Sequence, residues 1–129
     1  MKIEKLNYSK LDESIKQTLV GEEVKNGTCI YYRIYDKSNY KDFWVFTDEN
    51  NRLMINIVKP DIMENNKIMD FIFKALKKDF KYITLHIPVH LIKPNNLAIK
   101  YCFRHENVYE AITAKKEIVK INIYKKDLR

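Results

Sequence analysis

The chain has 129 residues, a length that fits one domain and buries enough surface to fold without a covalent staple, and 46% of it is apolar, which excludes intrinsic disorder. No stretch approaches the roughly 18 consecutive apolar residues of a membrane span, and the charged start Met1-Lys-Ile-Glu-Lys lacks the apolar core of a signal peptide, so the expected location is the cytoplasm and no membrane partner is expected. The formal charge of +7 comes from 24 basic and 17 acidic residues interspersed along the chain, most of the basic ones lysine, which reads as solvated charge on a small soluble protein.

Residues 2–8 alternate weakly through Ile3, Leu6 and Tyr8 and suggest a short edge strand. Ser9 then suits an N-cap, with Asp12 and Glu13 in the first turn. Leu11, Ile15, Leu19 and Val20 keep helical spacing until Gly21, and residues 21–27 read as a polar connector holding both glycines of the protein. Three strand-like runs follow, 28–35, 42–47 and 52–59, separated by the Asp/Asn-rich segments 36–39 and 48–51, which is the pattern of an antiparallel meander. The aromatics Tyr31, Tyr32, Tyr35, Phe43, Trp44 and Phe46 read as core packing, since alternation along a strand sends half of them inward; a base-stacking platform is the competing reading.

Pro60 stops the third run. From Lys67, apolar residues at 68, 71, 72, 75 and 76 share one helical face, and residues 82–88 are again strand-like. Strand, helix and strand over 52–90 predict a right-handed crossover between parallel strands. A helix begins near Pro94, with Leu97, Ala98, Tyr101 and Cys102 on one face, and is expected to end between 105 and 107. Residues 108–114 and 117–124 form a hairpin turning at 114–116, with Val119, Ile121 and Ile123 facing one way. Cys29 and Cys102 have no metal-like spacing and read as small apolar residues, Cys102 as a buried structural one.

The element order is thus β-α-β-β-β-α-β-α-β-β, an α/β (α+β) arrangement with a mixed central sheet of about six to seven strands and about three helices in a single domain over 1–129. That order resembles the GNAT superfamily of N-acetyltransferases. Two local stretches carry the resemblance further: Ile57-Val-Lys-Pro60-Asp61 looks like the end of the family's fourth strand, and Asn95-Asn-Leu-Ala98 looks like its Asn-x-x-Ala helix start. The resemblance implies acetyl-CoA as cofactor, with its pantetheine arm along Ile57 and Val58 and with Asn95 beside it. The family's glycine-rich phosphate loop corresponds to residues 63–68, where no glycine stands. Asn65, Asn66 and Lys67 are the residues left to meet the pyrophosphate, since asparagine tolerates positive φ and lysine supplies a cation. Glu64 would place like charge beside the phosphates. Asp61 and Glu64 also have capping-box spacing, which would start the helix at Ile62 and absorb the loop.

The family's tyrosine acid, four residues after the alanine, corresponds to Cys102, with Tyr101 next to it. His86 is the best available general base, since the fourth strand offers no carboxylate or histidine, only Asn56 on the strand and Asp48 or Glu49 in the turn before it. A metal between His86 and His90 is not expected, because Pro88 separates them and no third ligand is at hand.

Three readings follow. One is a divergent GNAT-fold protein that has lost acyl transfer and acts through contacts with a protein partner; small degenerate versions resemble bacteriophage proteins, some of them carried in the virion. Another is an active enzyme moving an acetyl group from acetyl-CoA to an amine. The third is a basic nucleic-acid-binding module using Lys115, Lys116, Lys120, Lys125 and Lys126.

Overall fold

A computed structural model describes residues 1–47, 53–55 and 60–129. The chain divides into two compact units, Met1–Asn56 and Ile57–Arg129.

In the first unit, strands β1 (Lys2–Leu6), β2 (Cys29–Asp36), β3 (Asn39–Thr47) and β4 (Leu53–Ile55) pair antiparallel in chain order. The meander expected from the Asp/Asn-rich turns is therefore present, and Lys37 adopts φ 58° in the first of them. Alternation sorts β2 and β3 into two faces. Tyr32, Ile34, Phe43 and Val45 are buried on one. On the other, Leu6, Leu11 and Tyr31 form a cluster joined by Tyr8, Ile15, Val20, Val24 and Trp44, and this cluster seats the helices.

The helical region differs from the expectation. Ser9 lies in a 3₁₀ turn (Tyr8–Lys10), followed by two helices, α1 (Glu13–Lys16) and α2 (Leu19–Asn26). Residues 21–27 are not a connector. Thr18 caps α2 by accepting from the Gly21 N–H, the helix runs through Gly21, and Gly27 ends it at φ 82°. Gly21 is required for close approach rather than for a turn: a methyl there would collide with the Ile15 carbonyl and the Lys16 backbone. The sequence signal for a break was a glycine, and packing overrode it.

The second unit begins with α3 (Pro60–Met63) and α4 (Asn66–Leu76), then β5 (Tyr82–Pro88), α5 (Ile92–Lys100), β6 (Arg104–Ile112) and β7 (Ile118–Asp127). β7 lies between β5 and β6 and is antiparallel to both. Five helices are present among the described residues where three were expected, because the first and second expected helices are each interrupted. The mixed character of the sheet rested on a parallel pairing of 52–59 with 82–88, and residues 56–59 lie outside the described ones. Ile83, Leu85 and Ile87 of β5 are buried, as are Ile68, Met69, Ile72 and Leu76 of α4. The opposite face carries Thr84 and His86 of β5, Ile121 and Ile123 of β7, and Asn107 and Tyr109 of β6. No helix among the described residues is long and apolar enough to cross a membrane.

Candidate functional site

The connection between α3 and α4 leaves backbone donors open at the start of α4, as helix starts do. Asn65 is the N-cap of α4; its side chain accepts from the Ile68 N–H at 3.2 Å and its carbonyl accepts from Met69. The Asn65 N–H in turn donates to Ile62. The first-turn amides of Asn66 and Lys67 have no partner among the described residues, and both side chains are exposed. The expected capping box at Asp61 and Glu64 does not produce one continuous helix, because Asn65, with ψ 103°, interrupts it. Glu64 is not an isolated charge either: Lys93 Nζ of α5 lies 2.8 Å from its Oε1.

The C-terminus of α5 holds this turn. Tyr101 places its hydroxyl 2.7 Å from the Met63 carbonyl and 2.8 Å from Asn66 Oδ1, one proton bridging two acceptors. Lys100 Nζ approaches the same Asn66 oxygen at 3.4 Å. Burial and the nearby Asp70 carboxylate raise the Tyr101 pKa, so the phenol keeps its proton.

The expected helix to 105–107 ends at Lys100. Cys102 takes φ 66°, its N–H donates to Ile99, and the Phe103 N–H donates to Ala98, which is a Schellman ending with cysteine at the position glycine usually fills. The thiol is exposed, not buried as expected, and it stands beyond the helix face on which the sequence count placed it.

Asn95 is inside the unit, 8% exposed, with its amide fully engaged. Nδ2 donates to the Pro88 and Leu91 carbonyls at 2.9 and 2.6 Å; Oδ1 accepts from Asn122 Nδ2 at 2.8 Å and the Tyr124 hydroxyl at 2.6 Å. His105 Nε2 extends the network at 2.8 Å from Asn122 Oδ1. Asn95 therefore locks the β5–α5 turn to β7.

His86 is half-buried on the sheet face away from this network. Desolvation lowers its pKa below the ordinary 6.5, so the imidazole is neutral at pH 7. Its Nδ1 lies 3.1 Å from the Tyr109 hydroxyl, with the two rings edge to face at 5.6 Å. The structure thus gathers Asn65, Asn66, Tyr101 and Lys100 at one turn, and places Asn95 and His86 elsewhere. Ile57 and Val58, like Asn56, Asp48 and Glu49, lie outside the described residues. Among the described residues no cluster of His, Cys, Asp or Glu could hold a metal.

Sequence reading missed Lys93, Lys100 and Tyr109. The first two meet the turn only through the packing of α5 on residues about 30 positions earlier. The third faces His86 because the β6–β7 register shifts between His105 and Asn107, and a bulge leaves no local signature. The five lysines considered for nucleic acid do not form one patch. Lys115 and Lys116 sit at the hairpin tip. About ten residues further along β7, roughly 33 Å at strand rise, Lys126 Nζ donates to the Tyr101 carbonyl at 2.7 Å and Lys125 Nζ lies 4.3 Å from the centre of the Tyr82 ring.

No protein-family model and no curated protein sequence matches the chain. Solved structures match it over nearly its whole length. An N-acetyltransferase from Staphylococcus aureus aligns with TM-score 0.69 at 13% identity, over 98% of this chain and 97% of that one. Mutant forms of the spermidine/spermine N-acetyltransferase of Vibrio cholerae align at 0.71 and 13%, over 98% and 94%. The acetyltransferase of GNAT family from Streptococcus pneumoniae aligns at 0.66 and 8%, over 98% of each chain.

Proposed function

We propose that this chain, which has a divergent GNAT fold, is an acyl-CoA-dependent N-acyltransferase that moves an acetyl group to an amine. The observation that carries the reading is the interruption at Asn65. The non-catalytic alternative, with its protein partner, rests on the missing glycines and on cysteine at the tyrosine-acid position as well as on the loop being absorbed into a continuous helix. Instead α4 starts afresh, and an eleven-residue helix presents two open amides at its positive end.

The residues present fit a pyrophosphate. Asn66 and Lys67 offer backbone N–H groups, Lys67 and Lys100 offer cations, and Lys93 neutralises the one carboxylate that would repel. Asparagine in place of glycine narrows the approach, which favours a shallower seat than a glycine loop gives. Acetyl-CoA supplies the activated thioester when bound. The chain's own contribution is to position and to move a proton. Tyr101 fixes the turn by holding Met63 and Asn66, and in this reading it is a positioning residue, not the acid. Cys102, off the helix and solvent-facing, has no part in the chemistry. His86, neutral at pH 7, accepts the proton that the amine nitrogen loses as its bond to the acyl carbon forms.

The test is a thermal melt with and without millimolar acetyl-CoA. A ligand at about 100 times its dissociation constant stabilises by about 2.7 kcal/mol, a shift of several degrees for this size of protein. The shift should vanish in Lys67→Glu. No shift in the wild-type protein would sink the reading.

A further inference from the structure

We propose that Tyr109 is the group through which His86 exchanges its proton: the phenol donates to His86 Nδ1 and stands between the imidazole and the incoming amine. The inference rests on the acyltransferase reading and adds a catalytic residue to it.

Three observations support it. The first is geometric, the 3.1 Å contact between Nδ1 and Oη with the rings edge to face. The second is direction. A phenol is a strong donor and a neutral imidazole nitrogen a strong acceptor, so the O–H···N sense is the favoured one, and it leaves the ring's other proton on Nε2. The third is access, since Tyr109 is 39% exposed on edge strand β6 while His86 is half-buried on β5. Both groups are thus accessible from this face, the phenol more than the imidazole.

The step balances. As the amine nitrogen bonds to the acyl carbon and the thiolate leaves, the nitrogen's proton passes to Tyr109 Oη while the phenol's own proton passes to Nδ1. The product side is a neutral tyrosine and an imidazolium, which returns its proton to water.

Among the described residues of this unit, the other charged side chains on this face are engaged elsewhere. Ile123 is directly opposite His86, with Ile121 and Thr84 beside it. Lys125 lies over the Tyr82 ring, and Arg104 pairs with Asp127 and Glu106. In this unit the helices pack on the other face, through Asn95 on Asn122 and Tyr124 and through Phe73 against Lys126.

The experiment is an NMR pH titration of the three histidines in the full chain, wild type and Tyr109→Phe. A donor to the neutral ring disfavours the charged form, so removing it raises the His86 pKa; removing an acceptor would lower it. An upward movement confined to His86, with His90 and His105 unmoved, is expected. A downward movement or none overturns the proposal. Should the variant misfold, the wild type alone decides through its ring ¹⁵N shifts, which must show Nδ1 unprotonated in the neutral form; a protonated Nδ1 overturns it. Neither measurement uses the cofactor, so acetyl-CoA binding tests the acyltransferase reading separately.

Discussion

Lys93 Nζ and Glu64 Oε1 are 2.8 Å apart, so the only carboxylate in the turn before α4 meets a cation from the start of α5. Both side chains are largely solvated, and the pair contributes well under about 1 kcal/mol to stability. Its effect falls on a bound anion. Lys93→Glu should weaken acetyl-CoA binding several-fold by calorimetry at low salt while moving the melting temperature little, and Glu64→Gln should strengthen binding. Equal affinities in both variants would show that phosphate does not sit at this turn.

The two cysteines should differ sharply towards thiol reagents. Burial pushes the Cys29 thiol up to about 11, so at pH 8 it is protonated as well as inaccessible, whereas Cys102 is exposed. Ellman's reagent should titrate one thiol quickly in the native protein and a second only on unfolding. Two fast thiols would contradict the packing of β2.

Asn95 is the position where a small change should cost most. Asn95→Ala removes the acceptor shared by the Tyr124 hydroxyl and the Asn122 amide, and the side-chain donor to the Pro88 and Leu91 carbonyls, in a buried site. We expect a loss of about 2–4 kcal/mol in denaturant unfolding. A loss below about 1 kcal/mol would mean that water enters and replaces the amide.

How much of this was legible in the sequence follows from which forces are local. β5 was readable to the residue because apolar alternation and Pro88 are both local, and α4 was readable from its apolar face. The end of α5 was not. Nothing between 101 and 107 is a glycine or proline, and the chain stops the helix by forcing Cys102 into the left-handed region. Gly21 misled in the opposite sense, since its small size serves the contact of α1 with α2. In the candidate site, Asn65, Asn66 and Lys67 were readable by alignment to the family's loop. The partners that decide what they can do, Lys93 and Tyr101, come from a helix whose packing no spacing rule reveals.

His86 sets a pH dependence with a definite sign. Its folded pKa lies below the ordinary 6.5, so near and below that value the unfolded chain binds the proton more readily. The stability associated with the neutral ring is present above pH 6.5 and is lost as the pH falls towards the lower, folded value. His86→Gln should flatten the decline in melting temperature over that interval. An unchanged slope would place the acid sensitivity in other groups.

Acyl transfer by this chain requires the open amides at the start of α4 to receive the phosphates. The direct measurement is an amide ¹H–¹⁵N titration of the full chain with acetyl-CoA, residue by residue. The largest, saturable shifts are expected at Asn66 and Lys67, with smaller ones along the rest of the first turn. Saturable binding that leaves these two amides unmoved, or no binding at millimolar acetyl-CoA, would contradict acyl transfer by this chain.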